Sequence, residues 1–142
     1  MISGWLLFAL LSAVFAAATS ILAKIGIKGV DSNLATAIRT VVIVVFAWGI
    51  VLAQGTAKQL GSLSRTTWIF LIMSGLATGL SWIFYFRALQ LGEASKVVPI
   101  DKLSLVLAVI MAVVFLQEKL TVATAVGSTL ITIGVLVMAL WK

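Results

Sequence analysis

The spacing of charge constrains this chain most. Ile2 to Ala23 carries none, and neither do Thr40 to Ala57, Thr66 to Phe86, Leu103 to Gln117 and Leu120 to Trp141. A helix needs about 20 mostly apolar residues to cross the hydrocarbon core of a bilayer. Four stretches meet that length alone or nearly so. The stretch from Leu103 is short, but it extends backward through Val97, Val98, Pro99 and Ile100. The pattern predicts an all-α membrane protein, a bundle of five transmembrane helices near 3–25, 34–54, 67–91, 96–116 and 120–140. Residues 1–142 then form a single five-helix transmembrane domain with short links and no soluble domain.

Composition closes the alternatives. Hydrophobic residues are 63% of the 142 and charged residues 10%, with a mean hydropathy of +1.26. A soluble domain is usually about half apolar and about a quarter charged, and one this small still exposes roughly a third of what its unfolded chain could expose. Cysteine and histidine are absent. Their absence removes thiolate chemistry, the commonest metal ligand and the commonest general base. Asp31, Glu93, Asp101 and Glu118 are the only acids, too few for a carboxylate-pair enzyme or a hard-cation cage. We therefore expect no enzyme, cofactor or metal. The net charge of +6 does not imply nucleic acid, because the basic residues flank apolar runs.

The first span is no signal peptide: it lacks a basic lead and its apolar core is too long. Its tail carries Lys24 and Lys28, suited to snorkelling towards headgroups. Trp5, Trp68 and Trp141 lie near predicted ends, as an interfacial belt requires, while Trp48 and Trp82 lie deeper. With five spans the two termini face opposite sides. One side then holds Lys58, Arg65 and Lys119; the other holds Lys24, Lys28, Arg39, Arg87, Lys96, Lys102 and Lys142. The richer side is cytoplasmic by the positive-inside rule, giving N-out and C-in. Removing Arg39, Arg87 and Lys102 from the comparison leaves it nearly neutral.

Small residues mark packing faces, because lipid offers no hydrophobic drive for helix association. The third span has Gly75 and Gly79 four apart, and the fifth has Ala123, Gly127 and Gly134 on one face. Two readings stand for these faces, close packing within one chain or a dimer seam on the fifth span.

Charge inside a span is expensive and suggests function. Arg39 lies about one and a half turns into the second span, Arg87 about one turn from the end of the third, and Asp101 and Lys102 about one and a half turns into the fourth. All four fall at similar depth in one leaflet. They suggest a wet cavity, with Asp101 paired to Arg39, Arg87 or Lys24. Asp101 and Lys102, about 100° apart on a helix, are not expected to face each other. The plain alternative is interfacial charge reaching lipid phosphate, which suits Asp101 least because it is short. Pro99 either marks the start of the fourth span, where proline is tolerated, or loosens it for gating. Ser81 and Tyr85 share a face of the third span near Trp82; this group either lines a substrate or packs helices. Glu93, Glu118 and Lys119 read as link and headgroup residues.

Several runs resemble one family. These are Gly75-Leu-Ala-Thr-Gly79-Leu-Ser81-Trp82, Tyr85-Phe-Arg87, Ser95-Lys96-Val-Val-Pro99-Ile-Asp101-Lys102 and Phe115-Leu-Gln-Glu118-Lys-Leu-Thr121. Together they resemble the EamA-type proteins of the drug/metabolite transporter superfamily, most closely the short bacterial and archaeal members with one five-helix repeat. Gln117 stands where the family usually has a small residue. The resemblance implies a transporter. Longer relatives carry two such repeats in opposite orientation, so a single repeat implies a partner, either a second copy or an oppositely oriented relative. Related small multidrug resistance proteins use a glutamate in their first helix; this first span has no acid, and Asp101 is the only acid inside any span.

The expectation is a secondary transporter in the cytoplasmic (inner) membrane, moving a small anionic or zwitterionic metabolite by alternating access. Its expected substrate-binding residues are Arg39, Ser81, Trp82, Tyr85, Arg87, Asp101 and Lys102, with Asp101 for coupling and Pro99 for gating. A lipid-linked flippase or membrane assembly subunit, using the same charges on a headgroup, is the alternative.

Overall fold

The computed structural model describes residues 4–140; Trp141 and Lys142 lie outside the described residues. Six α-helices and one 3₁₀ segment follow in order, with no strand among the described residues. They are α1 (Gly4–Gly26), α2 (Ser32–Ala53), the 3₁₀ segment Thr56–Ser62, α3 (Arg65–Leu91), α4 (Ala94–Asp101), α5 (Leu103–Phe115) and α6 (Val122–Leu140). With α4 and α5 taken together as Ala94–Phe115, five segments are long and apolar enough to cross a membrane.

Local chemistry sets the ends. Asp31 caps α2: its Oδ1 accepts from the backbone N–H of Asn33 at 2.9 Å and of Leu34 at 3.1 Å, satisfying two of the free donors of a first helical turn. Gly29 (φ 74°) and Gly55 (φ 66°) make the left-handed turns after α1 and α2. At the end of α5 the left-handed position belongs to Gln117, at φ 57°. Its side chain donates to the Val114 carbonyl at 3.0 Å, and the chain turns so that the Glu118 N–H reaches the Ala112 carbonyl at 3.2 Å.

The fourth span departs from expectation. It starts at Ala94, so Pro99 is the sixth residue of α4 and lies inside the helix rather than in its first turn. An interior proline lacks the N–H that would bond the carbonyl four residues back and crowds that carbonyl. Just beyond it the ladder tightens. The Lys102 N–H bonds the Pro99 carbonyl and the Leu105 N–H bonds the Lys102 carbonyl, both at 3.0 Å and both over three residues. The span breaks there into α4 and α5.

The chain forms two compact units, one through Gln90 and one from Leu91. In the first, Ala23, Ile27, Phe86 and Leu89 are buried, together with Ser20, Ser32 and Thr36. In the second, α4, α5 and α6 pack on one another around Val135. No more than 11% of any span's apolar window is buried within the chain, so lipid or other protein must cover the rest. Hydroxyls within the spans satisfy themselves locally. Ser20, Thr36, Thr40, Thr78, Thr129 and Thr132 each donate to the carbonyl four residues back, at 2.8–2.9 Å, as polar groups kept from water must.

Candidate functional site

The first unit concentrates the site chemistry. Arg39 is the eighth residue of α2, about 10 Å along its axis. Its guanidinium lies 4.5 Å from the ring centre of Phe86 and 5.5 Å from that of Trp82. Phe86 and Trp82 are one helical turn apart on α3, so a single stripe presents both faces to one cation. Contact with aromatic faces stabilises a guanidinium by about 0.5–2 kcal/mol, more when water is excluded. Among the described residues Arg39 makes no ion pair with any carboxylate. Among the described residues this half-buried cation, with five N–H donors, is held against two ring faces and by no carboxylate.

Beside it runs a cleft of about 380 Å³ between α1 and α2, lined by Thr19, Ala23, Gly26, Ile38, Phe86 and others. Among the described residues Arg39 is the only charged one in its wall. The sequence leads to the expectation of a wet cavity at Arg39; of the residues expected to line it only Arg39 is in the named wall of this cleft, and the rest of that wall is ordinary apolar residues and Thr19.

The neighbouring polar residues are committed to structure. The Tyr85 hydroxyl donates to Ser20 Oγ at 2.7 Å, and Ser20 in turn donates to the Ala16 carbonyl at 2.9 Å. This relay crosses from α3 to buried Ser20 on α1. The Tyr85 ring meets Phe86 edge-on at 6.1 Å. Lys24 Nζ donates to the Leu89 carbonyl, one of the last carbonyls of α3 and so without a helical donor. The expected headgroup anchor is thus also a helix cap. Arg87 Nη1 donates to Gln90 Oε1 at 2.8 Å, and Gln90 Nε2 donates to the Val30 carbonyl at 2.6 Å. Gln90 went unnoticed in the sequence; a polar side chain beside the end of an apolar span is the signal that marks it. Ser81 is exposed.

In the second unit Asp101 meets its own neighbour: Lys102 Nζ lies 3.4 Å from Asp101 Oδ2. This corrects the expectation that the two cannot face each other. The four-carbon lysine stem, at a residue where the helix is interrupted, spans an angle that a regular helix would keep open. The pair is partly exposed, at 45% and 34%, and such pairs contribute little stability. Lys96 likewise meets Glu93 at 3.7 Å, at the surface.

The four packing glycines stand in open space. A Cβ added at Gly75, Gly79, Gly127 or Gly134 meets no atom within 4 Å among the described residues.

Residues 3–140 match the EamA-like transporter family. A protein of Sinorhizobium sp, described as an uncharacterised transporter in the cobO 3′ region, is 47% identical over 141 residues, covering 99% of this chain and all of that relative. An uncharacterised protein of Methanocaldococcus jannaschii is 30% identical over 71 residues, covering 50% of this chain and 52% of its own. No solved structure matches.

Proposed function

The chain belongs to the EamA-like transporter family and is a membrane transporter, and from that premise we propose that it is a secondary transporter of small anionic or zwitterionic metabolites. It works by alternating access in the cytoplasmic membrane, paired with a second copy or an oppositely oriented relative. The five spans act as one transmembrane domain.

The observation that carries the reading is Arg39, stacked on Phe86 and Trp82 at 4.5 and 5.5 Å with no ion pair among the described residues. A charge within a span is costly, and a cation held without a carboxylate attracts a substrate anion into a low-dielectric cleft. A guanidinium receives a carboxylate through two parallel N–H bonds. Arg39, Ser81, Trp82 and Arg87 take the substrate in the first unit, with Tyr85 contributing its ring while Ser20 holds its hydroxyl. In the second unit Asp101 carries the coupling proton, Lys102 balances its charge or contacts substrate anions, and the interruption after Pro99 is the gate. Discontinuous helices are a recurring transporter device.

The test is uptake by the purified chain in proteoliposomes, offered a panel of radiolabelled amino acids and organic acids. The expected result is saturable uptake of at least one anion or zwitterion. Uptake that rises linearly without saturation identifies a channel and contradicts the proposal.

A further inference from the structure

The cleft beside Arg39 is shaped for more than a bare anion. Its single charge sits at one place in the wall, and the remainder of the named lining is hydrocarbon apart from the Thr19 hydroxyl. A small hydrophilic anion would satisfy the guanidinium and leave about 380 Å³ of apolar space facing its polar groups, which is unfavourable. A ligand with one anionic end and an apolar body satisfies both parts. The anion meets the Arg39 fork while the body displaces water or lipid from Leu22, Ala23, Ile27 and Ile38.

We infer that the substrate is an amphiphilic monocarboxylate, its carboxylate on Arg39 and its apolar body in the cleft between α1 and α2. This rests on the reading of Arg39 as the anion site and adds what the rest of the molecule must be. Arg39 is the one cation in the named lining of this cleft, Arg87 lining a separate pocket with Asp31, and one cation fits a single negative charge. The planar fork fits a carboxylate.

The cleft can be filled by design. Gly26 lines it, has ordinary backbone geometry, and a Cβ added there meets nothing within 4 Å. Gly26→Leu therefore adds bulk at the wall of the cleft, from a position where a Cβ is accommodated.

The experiment is calorimetric titration of the full chain in phosphatidylcholine nanodiscs with straight-chain monocarboxylates from acetate to octanoate, with empty nanodiscs subtracted. Affinity is expected to rise about fourfold per added methylene, as for a buried CH₂, and then level off. Octanol is expected to bind at least tenfold more weakly than octanoate. Arg39→Gln should remove that preference for the acid, and Gly26→Leu should flatten the series so that octanoate loses its advantage over acetate. A flat series in the wild type, still dependent on Arg39, overturns the cleft assignment and leaves the anion site standing. Octanol binding as well as octanoate, or a series indifferent to Arg39→Gln, overturns the anion site itself. Octanoate displaced by phosphatidylglycerol added to the nanodiscs makes the occupant a membrane lipid and overturns the assignment to a free substrate.

Discussion

Individual residues here divide between holding helices together and facing a ligand, and a substitution at Tyr85 separates those roles. Tyr85 was legible in the sequence as an aromatic near Trp82, but its partner was not. Nothing in sequence spacing brings Ser20 of α1 within 2.7 Å of a hydroxyl on α3. Tyr85→Phe removes that bond, and hydrogen bonds between membrane helices average about 0.6 kcal/mol. The variant is expected to lose about that much stability in a detergent unfolding titration and to keep its transport. Arg39 was legible as a charge within a span; its rings were half legible, Trp82 having been singled out and Phe86 passed over as ordinary apolar sequence. Gln117 is a different case. The resemblance expects a small residue there, and the φ of 57° gives the reason, since the left-handed region costs most residues roughly 1–2 kcal/mol. Its bond to the Val114 carbonyl offsets part of that. Gln117→Gly is expected to raise stability by about 0.5–1 kcal/mol, read from the same titration.

At the level of helices, charge spacing was enough to read five helices long and apolar enough to cross a membrane, because every apolar run ends near a charge. It did not reveal the break in the fourth. Proline is tolerated in a first turn and disruptive inside, and which applies depends on where the helix begins. That beginning is set by the extended backbone at Glu93 (φ −70°, ψ 138°), which no apolar pattern encodes. The same break explains why Asp101 and Lys102 meet at 3.4 Å when a regular helix would keep them apart. Pro99→Ala restores the missing donor to the Ser95 carbonyl and removes the ring that crowds it. Helix stability is expected to rise by about 3 kcal/mol at most, while turnover falls because the gate stiffens. Unchanged turnover alongside raised stability would remove Pro99 from gating.

For the molecule as a whole, most apolar surface remains uncovered within the chain, and Gly75, Gly79, Gly127 and Gly134 present faces that no described residue approaches. The pairing proposed for a single repeat has these open small-residue faces to use. Orientation decides which kind. Seven basic residues against three favour N-out and C-in, whereas an antiparallel pair of identical chains needs both orientations. The chain has no cysteine, so one added after Lys142 can be labelled without background. Labelling by a membrane-impermeant thiol reagent is expected from the cytoplasmic side alone, pointing to a parallel dimer or an oppositely oriented relative. Equal labelling from both sides would contradict the charge bias and support the antiparallel homodimer.

The central claim is that a cation held by aromatic rings in α2 and α3 recognises a substrate anion. Uptake into proteoliposomes by the wild type and by Arg39→Gln, matched for insertion and folding, tests it most directly. The account predicts that kcat/KM for the transported anion or zwitterion falls at least tenfold in the variant. Equal kcat/KM in the two proteins would contradict it.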